Sequence, residues 1–84
     1  MPVHNPSTGD VIARSPLSTA DDVDHAVRAA HSAFQTWKQV SVPKRAAILF
    51  RYKELLEVHF DELARLVVRE NGKTFAEAQG DVRR

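Results

Sequence analysis

The stretch STADDVDHAVRAAHSAFQTW, residues 18–37, is where the chain changes character. Val23, Ala26, Val27, Ala30, Phe34 and Trp37 recur at steps of 3, 1, 3, 4 and 3 residues, which draws one apolar stripe along a helix of period 3.6. Thr19 with Asp22 has the spacing of a capping box in which Asp takes the place of Glu, and Asp21, Asp22 and Asp24 set negative charge against the positive end of the helix dipole. The stretch reads as an amphipathic helix with one wet face. Phe34 and Trp37 continue its stripe and are expected in a core rather than as a ligand platform.

Upstream, residues 1–17 hold Pro2, Pro6, Gly9 and Pro16, too many breakers for a helix. Asn5 can cap a turn through its side chain, Pro6 presets the second turn position, and Gly9 can take a positive φ. Val11, Ile12 and Ala13 suit a strand. The expectation is a turn leading into one edge strand whose ladder partner lies outside these 84 residues, since a lone strand cannot satisfy its backbone.

Downstream, Ser41, Val42 and Pro43 open a second helix, because proline in the first turn loses no intrahelical hydrogen bond. Its apolar set of Ala46, Ala47, Ile48, Leu49, Phe50, Tyr52, Leu55 and Leu56 runs round more than one face, which suits a helix held between neighbours. A third helix runs from about Asp61 through Leu63, Ala64, Leu66, Val67 and Val68 and stops at Asn71-Gly72. Thr74 and Glu77 form another capping box and start a helix with Ala76, Ala78 and Val82 that is still in progress at Arg84. A helix of about ten residues is shorter than the ~12–15 that make even good isolated helices marginal, so the sequence reads as part of something longer. The expected fold class is mainly α: residues 1–17 a turn and short strand, residues 18–84 about four helices, with no repeat, low-complexity run or linker.

At 84 residues, folding hides only roughly 60–65% of the unfolded chain's surface, and with no cysteine there is no disulfide to compensate. The histidines His4, His25, His31 and His59 lack zinc-ligand spacing, so no metal is expected. Twelve basic and eleven acidic residues give a formal charge of +1, which argues against commitment to nucleic acid or an anionic membrane. Lys44, Arg45, Arg51 and Lys53 recur, but Glu54, Glu57, Asp61 and Glu62 interrupt any basic stripe. No run approaches the roughly 20 apolar residues of a membrane span, and a cytoplasmic protein is the expectation.

Glu54 with Glu57, or Asp61 with Glu62, could be proposed as acid and base, but carboxylates at this helical spacing are more often solvated or paired with Lys and Arg four residues away. Ser18, Thr19 and Ser41 are better read as caps than as nucleophiles. None of the three glycines lies in a loop of phosphate-binding pattern.

Two further strings carry a resemblance. VPKRAAILFR at residues 42–51, and ENGKT at 70–74 followed by Glu77, Ala78, Gly80, Asp81, Val82 and Arg84, join NPSTGDV at 5–11. In order and spacing they resemble the N-terminal segment of the aldehyde dehydrogenase superfamily, most of all its CoA-acylating methylmalonate-semialdehyde dehydrogenase branch. The resemblance runs nearly end to end. Phe75 and Gln79 fall at positions the family varies, and the chain starts closer to the NPSTG turn than usual, so the family's first strand pair is expected to be missing.

The resemblance implies a parent α/β enzyme with a Rossmann-like NAD domain, a catalytic domain carrying a cysteine, and an oligomerisation extension that makes it a homo-oligomer. The branch uses NAD and coenzyme A: it oxidises a semialdehyde, passes the acyl group from cysteine to coenzyme A and releases carbon dioxide, in valine and myo-inositol catabolism. The cysteine, the activating glutamate and the cofactor-binding lysine and glycines of that scheme have no counterpart in this sequence. The expectation is therefore an N-terminal fragment, inactive by itself and binding no cofactor. One position keeps a role: in this branch the arginine of acidic-Val-x-Arg, matched by Asp81-Val82-Arg83-Arg84, is associated with the substrate's carboxylate. A guanidinium fork holds a carboxylate by two parallel bonds, which lysine cannot copy; the plain alternative for Arg84 is a solvated arginine. The alternative for the whole chain is a small helical interaction or oligomerisation module without catalysis. In either case the isolated chain is expected to be helical but loosely packed, or to self-associate through its apolar faces.

Overall fold

The computed structural model describes residues 1–84. The order of elements is β1 (Pro2–His4), β2 (Val11–Arg14), α1 (Ala20–Trp37), α2 (Val42–Val58), α3 (Phe60–Asn71) and α4 (Phe75–Arg83). Contacts divide the chain into two units, one of Met1–Pro16 with Lys53–Arg84 and one of Leu17–Tyr52. The mainly helical fold class read from the sequence is the one observed.

In the first unit, Asn5 organises a tight turn. Its side-chain oxygen accepts from the Ser7 N–H at 2.9 Å, its carbonyl accepts from the Gly9 N–H at 2.8 Å, and its own N–H donates to the Asp10 carbonyl at 2.8 Å. Gly9 takes φ 80°, a conformation that side chains resist. The turn joins β1 and β2 as an antiparallel pair in the register Pro2↔Arg14, Val3↔Ala13 and His4↔Val11, with a shift between Val3 and His4 that leaves Ile12 as a bulge. The amino terminus closes the open end by donating to the Ser15 carbonyl at 2.7 Å. The partner of the Val11 strand is thus within the chain, which corrects the expectation that it lies elsewhere. A three-residue strand that begins with proline has too little pattern to announce itself, yet an edge position tolerates the missing N–H.

The rest of this unit is built on α3 and α4. Leu63, Ala64, Val67 and Val68 fall on one face of α3, and Ala64 is fully buried together with Ala78 of α4. Two alanines at the contact let the helices approach closely, and this is where the core sits. Gly72 ends α3 in the left-handed region at φ 68°, its N–H bonded to the Val68 carbonyl at 2.9 Å. A methyl group at Gly72 would lie 3.0 Å from Ser7 Oγ and 3.1 Å from Pro6 Cγ, so the hairpin turn is seated directly on the cap of α3. Thr74 then starts α4: its hydroxyl accepts from the Glu77 N–H at 3.4 Å while the Glu77 carboxylate accepts from the Thr74 N–H at 3.2 Å.

In the second unit, α1 starts as the sequence reading has it. The Asp22 N–H donates to Thr19 Oγ1 at 3.2 Å, and the Thr19 N–H donates to the Asp22 carboxylate at 2.8 Å. Arg28 pairs with Asp24 one turn back. Pro43 lies in the first turn of α2, and the Arg45 N–H closes that turn on the Ser41 carbonyl at 3.0 Å. The apolar stripe of α1 is uncovered: Phe34 is 53% exposed and Trp37 41%, which corrects their assignment to a core. Their spacing is right for burial, but within its own unit the stripe stays open. Ile48, Leu49 and Phe50 of α2 are exposed as well. No helix is long and apolar enough to cross a membrane.

Candidate functional site

The capping box that starts α4 sets the direction in which its last turn points, and that turn carries the residues with chemistry. Asp81, half-buried, accepts from Lys73 Nζ at 2.5 Å on one carboxylate oxygen and from Arg84 Nη2 at 2.8 Å on the other. The hydrogen bond from Lys73 is the main cause holding the Asp81 carboxyl below its ordinary range. Partial desolvation opposes it, and the charges of Lys73 and Arg84 add to it. Arg84 itself is 80% exposed, with Nε directed to the Gly80 carbonyl at 3.4 Å. Its position at the negative end of the helix dipole suits a cation.

Beside this turn lies an open groove of about 510 Å³ whose apolar floor is Leu56, Phe60 and Val82. Lys53, Arg83 and Arg84 give its rim three positive charges against the one negative charge of Glu57. Lys53 is paired with Glu57 within α2. The Arg83 guanidinium lies 5.7 Å from the centre of the Phe60 ring, a cation–π distance, and makes no ion pair. The lining has no thiol, hydroxyl or imidazole. Chemically the arrangement can hold a small organic anion with a short apolar body; it has nothing with which to attack one.

The other sequence candidates are engaged locally. Glu57 belongs to Lys53, Glu62 meets His59 Nδ1 at 2.9 Å, and Asp61 accepts from Gln79 at 3.4 Å. Thr19 caps a helix, as read. His4 Nδ1 lies 3.1 Å from the Gly9 carbonyl and His31 Nε2 lies 3.3 Å from Gln35, and no group of His, Asp and Glu is placed to hold a metal ion. Sequence reasoning singled out Arg84 but gave no role to Lys73 and did not see Phe60. The available signal was a lysine just before a capping threonine with an acid two turns along the same helix, a spacing that only geometry turns into an ion pair.

The sequence model of the aldehyde dehydrogenase family matches residues 1–84. The chain belongs to the aldehyde dehydrogenase family. Among its relatives, malonate-semialdehyde dehydrogenase 2 of Oceanobacillus iheyensis is 58% identical over 82 residues, and malonate-semialdehyde dehydrogenase 1 of Geobacillus kaustophilus is also 58% identical over 82 residues. Malonate-semialdehyde dehydrogenase 2 of Bacillus mycoides is 56% identical over the same length. Each match covers 98% of this chain and 17% of the relative, so the chain spans about a sixth of the length of the enzymes it resembles. Within this chain, the strings that carry the resemblance are not independent: the NPSTG turn rests on the glycine of ENGK, and the lysine of ENGK holds the acid of Asp-Val-Arg-Arg.

Proposed function

We propose that these residues are the N-terminal part of an NAD-dependent, CoA-acylating dehydrogenase of malonate or methylmalonate semialdehyde, in which Arg84 receives the carboxylate of the substrate. The observation that carries the reading is 58% identity over nearly the whole chain to enzymes named for malonate semialdehyde, joined to an exposed arginine at the rim of an anion-compatible groove. Such a substrate has a carboxylate at one end and the reacting aldehyde at the other. An arginine that grips the first fixes the position of the second, and Arg84 has the donor geometry for that task.

NAD and coenzyme A belong to the proposed whole enzyme. Gly9 serves a turn, Gly72 a cap and Gly80 a helix interior, so in this reading the pyrophosphate cradle belongs to other parts of the enzyme. The chain has no cysteine to take up an acyl group. Its own contribution in this reading is binding and orientation, and it turns over no substrate by itself. The reading includes a homo-oligomer and a cytoplasmic location, the setting of organic-acid catabolism.

The test is a kinetic comparison in the dehydrogenase that carries these residues, following NADH formation with coenzyme A present. Malonate semialdehyde is expected to be favoured over propanal, which has the same length and no carboxylate, and Arg84→Ala is expected to remove that preference by raising KM roughly 10- to 100-fold for the charged aldehyde alone. Equal use of both aldehydes by the unaltered enzyme would overturn the reading. A second reading is favoured by the uncovered stripe of α1: the isolated chain associates with copies of itself through Val23, Val27, Phe34 and Trp37.

A further inference from the structure

Arg84 faces a difficulty if it is to hold a substrate carboxylate, for it already holds one. Asp81 Oδ1 accepts from Arg84 Nη2 at 2.8 Å, and a bare aspartate at that distance would both neutralise the arginine and repel an incoming anion. The structure contains the remedy. Lys73 donates to the second oxygen of the same aspartate at 2.5 Å, reaching it across the α4 cap from just outside the helix. Lys73, Asp81 and Arg84 together carry one net positive charge, whereas Asp81 and Arg84 alone would carry none.

The geometry of the arginine is also accounted for. Nη2 is directed to Asp81 and Nε to the Gly80 carbonyl, so two of its three nitrogens are fixed to the end of α4. Nη1 has no partner, and with the second hydrogen of Nη2 it forms an unused two-donor edge on a side chain that is largely exposed. That edge is the one that can take a carboxylate by two parallel bonds. We infer that Lys73 and Asp81 are positioning residues for substrate specificity: Asp81 orients the Arg84 guanidinium, and Lys73 cancels the charge of Asp81 so that the arginine still attracts the carboxylate of a semialdehyde. The inference rests on the reading of Arg84 given above and gives a task to the lysine of the ENGK string, which that reading leaves idle. The lowered carboxyl of Asp81, with Lys73 as its first cause, accords with it.

The experiment uses the whole dehydrogenase and the pair of aldehydes already named. Lys73→Met is expected to raise KM for malonate semialdehyde about tenfold, to leave KM for propanal unchanged and to keep kcat within about twofold for both; Lys73→Arg is expected to restore the charged substrate. Lys73→Gln is the substitute with the same expectations should the methionine variant fail to fold. A residue that only stabilised the helix would move both substrates together, and arginine at Lys73 would not selectively rescue one of them. In the 84-residue chain, NMR titration is expected to show the Asp81 carboxyl moving up toward its ordinary range in Lys73→Met. Arg84→Ala separates the two levels of the argument. If Arg84→Ala weakens malonate semialdehyde selectively and Lys73→Met does not, the positioning inference alone is overturned. If Arg84→Ala leaves malonate semialdehyde unaffected, the reading of Arg84 falls and the inference with it.

Discussion

Replacing Gly72 by alanine tests a contact that ties the hairpin to the helices. Gly72 has φ 68°, where a β-carbon meets the backbone, and leaving glycine there costs about 1 kcal/mol. The new methyl would also sit 3.0 Å from Ser7 Oγ and 3.1 Å from Pro6 Cγ. The serine hydroxyl can rotate away, but the proline ring is fixed, and overpacking of this kind costs a further ~1 kcal/mol or more. Against this, alanine restricts the unfolded chain and returns ~0.4–1 kcal/mol. The net expectation is a loss of ~1–2 kcal/mol. Native-state hydrogen exchange reads it locally: amides near the end of α3 and in the turn of residues 5–10 are expected to lose protection together by about 5- to 30-fold. Ser7→Ala is expected to recover little in the double variant, since the proline ring carries the packing cost, whereas Gly72→Asn keeps the steric conflict while easing the conformational one. Unchanged protection in the turn of Gly72→Ala would refute the argument that the hairpin rests on the cap.

Gly80 is the counter-case: it lies within α4, has no positive φ, and a β-carbon there would meet nothing within 4 Å, so Gly80→Ala is expected to stabilise by ~0.5–1 kcal/mol, checked by the same exchange experiment. The carboxyls of Asp22 and Glu77 are held below their ordinary range by the N–H and hydroxyl of Thr19 and Thr74, for Asp22 the N–H first and for Glu77 the hydroxyl first. A carboxyl depressed in the folded state contributes stability above its unfolded pKa and loses it as pH falls through the folded one. Helix content followed by circular dichroism should therefore decline from about pH 5 downward, and less steeply in a Thr19→Ala, Thr74→Ala double variant. Sedimentation velocity of the isolated chain should show association that Phe34→Glu abolishes; a concentration-independent monomer for the unaltered chain would end that reading.

The features legible in the sequence are those decided within a few residues. Thr19 with Asp22, Thr74 with Glu77, Pro43 and Gly72 each settle a helix end through their own backbone neighbourhood, and all are found where the spacing puts them. The pairing of β1 with β2 escaped because Pro2–His4 is too short to show a period and its register slips at Val3 and His4. The stripe of α1 was legible as apolar but not as uncovered, because periodicity says which face seeks a partner and not whether one is present. At the site, Arg84 was reached through a motif. Its dependence on Lys73 was hidden, since eight positions separate Lys73 from Asp81 and only the turn at Thr74 brings them together.

The seat of the Pro6–Ser7 turn on Gly72 has a consequence for synthesis. Ser7 and Gly72 are 65 positions apart, and the unit they share is made of the first residues of the chain and its last ones. At ~5–20 residues per second, the ribosome takes roughly 3–13 s to supply the cap after it has supplied the turn. Throughout that interval the hairpin exists without its support while the intervening helices are completed, so a segment made early settles only after one made much later.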